Sequence, residues 1–196
     1  PLTITWPPIM YTDYGRQNFD NWIDIGGFDN LTVKPNGQVH KLLTKLSILN
    51  LLHPFQSFIL GQKVIAPKIA MRFDIPLIFY GENDAEYNNP IADNETSLIK
   101  KSLHTFNKID SLYIGGIPIP ELKEKYNLNE NDLSLYLPPD HKDYENHKID
   151  IRYLGYYLKW IPQEAYYYAV ENTGFKARPF RTQGTYSKYN SIDDKI

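Results

Sequence analysis

Apolar and polar positions along the chain fall into blocks with two distinct periods. In "PLTITW", Leu2, Ile4 and Trp6 alternate with other residues, the period of an extended segment with one apolar face. In "RQNFDNWI" the apolar positions Phe19, Trp22 and Ile23 take helical spacing, and Gly26 and Gly27 follow as a stop signal. A short strand is predicted over 30–33. Beyond Lys34, Pro35 and Asn36, the run "GQVHKLLTKLSILNLL" repeats Val39, Leu42, Leu43, Leu46 and Leu49 on one face, which predicts an amphipathic helix ending near Pro54. A further helical pattern covers about 62–73, broken or kinked near Pro67, and delivers the chain to "IPLIFY", an apolar strand at 75–80.

The order strand, helix, strand, helix, helix, strand, with continuously apolar strands, predicts an α/β fold: a parallel sheet covered by helices on both faces. Residues 1–90 are expected to form these layers, with 3–6, 30–33 and 77–80 as neighbouring strands. Ligands of open α/β sheets bind outside the carboxyl ends of the strands. Residues 81–87 stand at such an end, as do Thr5, Trp6 and the turn at 34–36.

From about residue 90 the character changes, and 91–196 is expected to be a helical and irregular region. Residues 93–108 hold a helical pattern, "YIGGIPIP" is extended or turn structure, and 121–126 is a short helix. High charge and paired prolines mark "ENDLSLYLPPDHKDYENHKIDIRYL" as a surface excursion. A last helix follows Pro162 and stops at Gly174. The closing stretch is polar, aromatic and basic without periodicity, either a binding loop or a solvated tail.

Composition narrows the function. With 196 residues, 42% of them hydrophobic, the chain is long enough to bury a sizeable core. A net charge of -2 argues against a protein that mainly grips a nucleic-acid backbone. There is no cysteine, so neither a disulfide nor a thiolate metal site exists in this sequence. Sixteen tyrosines exceed what a core needs and suit sugar rings, nucleotides and moist interfaces. No run of about 18 apolar residues suited to a bilayer appears.

The sharpest chemical feature is "IPLIFYGENDAEY", where a buried strand runs through Gly81 into Glu82, Asp84 and Glu86. Such a cluster is either a solvated turn ending a strand or a site that holds Mg2+ or orients a proton acceptor beside a phosphate. Its place at a strand's carboxyl end favours the site. Arg181, Lys188 and Lys195, interleaved with Tyr186 and Tyr189, suit an anionic sugar or nucleotide. His40, His53, His104, His141 and His147 show no metal-ligand spacing, and "IGGF" and "YIGGI" lack the pattern of a phosphate loop.

"DIPLIFYGENDAEY", with "GRQNFDNW", "PFQSFILGQKVIAPKIA", "YLGYYLKW" and "YYYAVENTGF…RTQGTYSKYNSIDDK", resembles the N-acetyl sugar amidotransferase family across essentially the whole chain. Members act on pseudaminic acid in flagellin glycosylation and motility, and in lipopolysaccharide O-antigen biosynthesis. The resemblance implies a cytoplasmic ATP pyrophosphatase of the PP-loop type with an adenine nucleotide α-hydrolase-like sheet. It further implies adenylation of the acetamido oxygen of an N-acetylated acidic sugar, free or nucleotide-activated. Ammonia from a separate glutaminase subunit then displaces AMP and leaves an acetamidino group.

The family's serine-glycine-glycine phosphate loop and first strand are not in this sequence, which is therefore expected to be an internal fragment without full activity. Carried onto this chain, the resemblance places ATP near Thr5, Trp6, Gly81 and Asn83, with Glu82, Asp84 and Glu86 catalytic and Mg2+ on Glu82 and Asp84. Sugar contacts fall on Arg16, Asn18, Gln56, Gln62, Arg181, Tyr186, Lys188 and Lys195, with 91–196 as the sugar-binding region. Neither nucleic acid nor membrane is implied as a partner. The rival is a non-catalytic carbohydrate- or partner-binding module whose carboxylates and tyrosines hydrogen-bond a glycan. Two carboxylates of "GENDAEY" acting as a glycosidase pair fit less well, since such groups flank the scissile bond from opposite sides.

Overall fold

The computed structural model describes residues 1–8, 10–81, 106, 108–193 and 195. In chain order the elements are β1 (Leu2–Thr5), α1 (Asp13–Asp24), β2 (Asp29–Thr32), α2 (Gly37–Leu51), α3 (Gln56–Arg72), β3 (Leu77–Tyr80), β4 (Tyr113–Ile114), β5 (Ile117–Pro118), α4 (Ile119–Tyr126), α5 (Glu130–Leu133), α6 (His141–Asn146), β6 (Asp150–Tyr153) and α7 (Pro162–Thr173). The architecture is mixed α/β with short parallel sheets. It divides into two compact units, Pro1–Val33 with Lys159–Ile196, and Lys34–Leu158. No described helix is long and apolar enough to cross a membrane.

The first unit opens with a β-α-β turn of chain. β1 and β2 pair in parallel, Leu2 opposite Asp29 and Thr5 opposite Thr32, joined through α1. Thr12 caps α1, its Oγ1 accepting from the Gly15 N–H at 2.9 Å. α7 starts on Pro162, where a missing N–H costs nothing, and ends at Gly174.

Beyond α7 the chain returns along α1 as a strap. Asn21 Nδ2 donates to the Gly174 carbonyl at 2.7 Å. Asn18 holds the Lys176 backbone from both sides, donating to its carbonyl at 3.0 Å and accepting from its N–H at 2.7 Å. The Thr12 N–H donates to the Asp193 carbonyl at 3.0 Å, Thr12 Oγ1 donates to Ile192 O, and Ile192 is buried. The aperiodic close of the sequence is thus a packed segment and not a solvated tail. Its order comes from side chains of α1 that satisfy its backbone.

In the second unit β3 pairs in parallel with β6, Leu77 opposite Asp150 and Tyr80 opposite Tyr153. The expected parallel pairing of 3–6 with 30–33 is present as β1–β2, whereas the described partner of β3 is not one of these strands but lies in the stretch read as a surface excursion. That stretch buries Leu133, Tyr136, Leu137, Tyr144, Ile149 and Ile151 between exposed charged residues. Charge on the intervening positions masked a well-distributed apolar set. Ala70, Ile78, Tyr144, Ile149 and Ile151 form one core cluster against one face of β3–β6. Leu77 and Phe79 point to the other face and remain 44% and 47% exposed, so this strand is not covered on both sides as its apolar sequence suggested.

α3 also differs from expectation. It begins at Gln56 and runs through Pro67 as one helix. A proline removes the N–H that would serve the carbonyl four residues earlier. That carbonyl belongs to Lys63, and it accepts from the Tyr80 hydroxyl at 2.9 Å.

The β4–β5 hairpin turns on Gly115 and Gly116, whose φ values of 62° and 74° suit the two-residue turn of the type that matches strand twist. Gln56 Oε1 accepts from the Gly115 N–H at 3.1 Å and from Ser47 Oγ at 3.2 Å, while Asn50 Nδ2 donates to the Gly115 carbonyl at 2.8 Å. The hairpin is thereby tied to α2 and α3.

Candidate functional site

Both long-range strand pairs are parallel, so each has a carboxyl edge where backbone amides and side chains converge on solvent. At the β1 edge, Thr5 is held on two sides. Its carbonyl accepts from Val33 N–H at 2.9 Å and its Oγ1 accepts from Asn30 Nδ2 at 2.8 Å. The same amide donates to Thr3 Oγ1 at 2.8 Å, and Thr32 Oγ1 donates to Asn30 Oδ1 at 2.9 Å. One face of this pair is therefore a ladder of three hydroxyls keyed by one amide. Trp6, the next residue, is buried.

At the β3 edge stands Gly81, exposed, with nothing among the described residues within 4 Å of where a Cβ would be and no left-handed φ. The residues that give the sequence its strongest signal, Glu82, Asn83, Asp84 and Glu86, lie outside the described residues. Tyr80, just before them, is half-buried, and desolvation raises its hydroxyl pKa, reinforced by Tyr153 and Tyr144. It is a neutral donor, not a phenolate. On the open face of β3–β6, Arg152 donates to the Tyr157 hydroxyl at 3.0 Å and to Asp150 at 3.1 Å, and Tyr157 meets Phe79 edge-on at 5.7 Å. The hydrogen bond to Tyr157, then that to Asp150, holds the guanidinium pKa up.

Residues assigned to sugar contacts divide by role. Arg16 pairs with Asp20 at 2.9 Å and lies over the Phe19 ring. Asn18 is committed to Lys176, and Gln56 Oε1 to the hairpin. Gln62 is exposed on α3. Arg181, Tyr186 and Lys188 come together on one loop, and the Lys195 N–H donates to the Met10 carbonyl at 3.1 Å, leaving its side chain exposed.

That loop is closed by short-range bonds. Arg178 N–H donates to the Lys188 carbonyl at 2.9 Å, Thr182 N–H to Ser187 O at 3.1 Å, and Thr185 N–H to Thr182 O at 3.0 Å across a turn at Gly184, φ 78°. Tyr189 leaves the loop to stack on Tyr166 at 4.5 Å and to donate to Gln163 Oε1 at 3.2 Å. Thr182 is buried under the turn, its Oγ1 without a hydrogen-bond partner among the described residues.

Asn30, Arg152 and Arg178 carry this geometry without having been singled out in the sequence. Only the first two had a signal there: a lone amide between two threonine-bearing strands, and a cation inside an apolar strand. Among the described residues no three metal-ligating side chains cluster. The chain matches no protein-family model and no curated protein.

Proposed function

We propose that the protein is an ATP-dependent amidotransferase that converts the acetamido group of an N-acetylated acidic sugar, of the pseudaminic acid type, to an acetamidino group. The acetamido oxygen attacks the α-phosphorus of ATP and pyrophosphate leaves. Ammonia adds to the activated carbon, and the former amide oxygen departs on AMP, so the atoms balance without a redox step. Amide oxygen is a poor leaving group, and adenylation is what makes it leave.

One observation carries the reading: the parallel pair β3–β6 brings the chain at its carboxyl end to Gly81, the residue that precedes the carboxylates of "GENDAEY" in the sequence. Glu82 and Asp84 are hard oxygen donors of the kind Mg2+ takes, an assignment that rests on the sequence alone.

The test is release of AMP and pyrophosphate by the full-length protein given ATP, ammonia and an N-acetylated acidic sugar, against the same sugar without its acetyl group. Release dependent on the acetamido group supports the reading. Its absence, with glycan binding retained, transfers the case to a non-catalytic carbohydrate-binding module, which the solvent-facing aromatic loop at 178–188 would then serve.

A further inference from the structure

We propose that the corner between α2 and α3 docks on an anionic membrane surface, its exposed leucines sinking into the lipid and its lysines meeting the headgroup phosphates. No described helix is long and apolar enough to cross a bilayer, so the contact is with one leaflet. This surface belongs to α2 and α3 alone and does not depend on the amidotransferase reading.

α2 buries Val39, His40, Leu43, Leu46 and Ser47 on one face. A helix whose opposite face met only water would be polar there. Here the outward face ends in Ile48, Leu49 and Leu52, and Leu51 and Phe55 are exposed as well, with Leu49 at 65% and Leu52 at 88%. No charged residue interrupts the sequence from 46 to 62. Single exposed apolar residues are ordinary, but five between residues 48 and 55 form a patch. Leu52 also closes α2 at φ 53°, ψ 30°, the left-handed position that glycine or asparagine usually takes. A leucine there is strained, and no burial of its side chain offsets the strain. Nor is the corner loose, because Asn50 and Gln56 tie it on either side to Gly115 of the β4–β5 hairpin. The leucine projects from a fixed tip.

Charge says what the tip meets. Residues 34–73 carry six lysine and arginine residues and no aspartate or glutamate. Since the whole chain has a net charge of -2, everything outside this stretch sums to -8. Lys41 and Lys45 lie on the same outward face of α2 as Ile48, Leu49 and Leu52, exposed and with no ion pair or hydrogen bond among the described residues. At a rise of about 1.5 Å per residue, Lys45 stands about 10 Å along the helix from Leu52. That separation puts the ammonium groups at the level of lipid phosphates when the leucine reaches the acyl boundary. A second copy of the chain would set the same positive face against itself, and a projecting leucine would need a matching pocket, which a fluid acyl layer does not require. A nucleic-acid strand would answer the lysines and leave the leucines in water.

The experiment is co-sedimentation of the full-length protein with vesicles of phosphatidylcholine alone, and of phosphatidylcholine and phosphatidylglycerol in equal parts. The anionic vesicles should hold the protein at least about 10-fold tighter, the scale of two lysines near a charged leaflet. Added salt should narrow the difference. Lys41→Glu combined with Lys45→Glu should abolish the preference. Leu52→Gly should weaken binding about 10-fold, the loss of one buried leucine, while melting at or above the parental temperature, because glycine adopts the left-handed position without strain. No binding to anionic vesicles, equal binding to both kinds, or parental binding by Leu52→Gly would each overturn the proposal. Self-association without vesicle binding, lost in Leu52→Gly and read by sedimentation velocity, would give the corner to a second copy of the chain. Binding of a twelve-nucleotide oligouridylate without vesicle binding would give its charge to nucleic acid.

Discussion

The Tyr80 hydroxyl donates to the carbonyl oxygen of Lys63 across 2.9 Å, and Lys63 stands four residues before Pro67 in α3. The last residue of β3 thus serves the acceptor that the proline deprives of its helical partner. This ties the carboxyl edge of β3, where the chain enters "GENDAEY", to the middle of the helix that covers it. Tyr80→Phe should cost about 0.5–1.5 kcal/mol, the net worth of one ordinary hydrogen bond. Pro67→Ala restores an N–H at that position, so Tyr80→Phe should cost measurably less in that background. A double-mutant cycle by chemical denaturation reads the coupling, and additive costs would show that the two residues act independently.

Gly15 faces the strap with no room to spare. A Cβ there would stand 2.1 Å from the Asp193 carbonyl oxygen, a backbone atom. Alanine in a helix normally gains about 1 kcal/mol over glycine. Displacing the strap costs more, because overpacking of this kind runs at about 1–3 kcal/mol. Gly15→Ala should therefore be destabilising and should expose the C-terminal strap to limited proteolysis. A raised melting temperature would show that the strap yields easily.

Asn18 separates a structural from a ligand role. Asn18→Asp keeps an acceptor for the Lys176 N–H and loses the donor to the Lys176 carbonyl. The loss should be about 1 kcal/mol of stability, the net worth of one ordinary hydrogen bond, with KM for sugar changed only as far as the loop at 176–188 loosens. A large rise in KM at unchanged stability would return Asn18 to direct sugar contact.

Elements with local signals were legible: the apolar stripe of α2, Pro162 and Gly174 around α7, and the two glycines between β4 and β5. What escaped depends on partners far along the chain. Asn18 reads as a sugar-contacting amide and Asn21 carries no signal, because the backbone they hold lies 158 and 153 positions away. Gln56 drew notice for its amide and in fact clamps a hairpin 59 residues on. β6 is only "DIRY", two apolar residues among charges, and no periodicity can register in four positions. Pro67 signalled a break in α3 because its compensation by Tyr80 is tertiary.

His40 supplies a pH dependence. It is buried on α2, its Nδ1 3.0 Å from the hydroxyl of the buried Tyr136, and burial lowers its pKa below the ordinary 6.5. The unfolded chain then takes up this proton before the folded one does as pH falls. The contribution of neutral His40 is fully present above about pH 6.5 and is lost as pH drops through the folded pKa. Denaturation midpoints between about pH 5 and 7.5 should decline on the acid side, and His40→Gln should flatten that slope. An unchanged slope in the variant would assign the acid sensitivity to other groups.

The three carboxylates decide the functional reading. Nothing among the described residues crowds Gly81, so Gly81→Ala should melt as the parent does. If a nucleotide passes close to that backbone, the added methyl group should still lower kcat/KM. In the full-length protein, Glu82→Gln and Asp84→Asn should each lower kcat by roughly 10² or more, the loss when a preorganised charge is removed from a reacting phosphoryl group. Carboxylates that merely solvate a turn behave differently, because neutralising them changes stability by about 0.5 kcal/mol or less and leaves chemistry alone. Side chains alternate in direction while a chain stays extended, so two of Glu82, Asp84 and Glu86 should carry the effect and the third should not. Acetamidino-sugar formation by the single variants, read beside their melting curves, distinguishes the outcomes. Three variants turning over at the parental rate would make "GENDAEY" a solvated strand end, and the chemistry would then have to be sought at Thr5 and Asn30 on the other parallel pair.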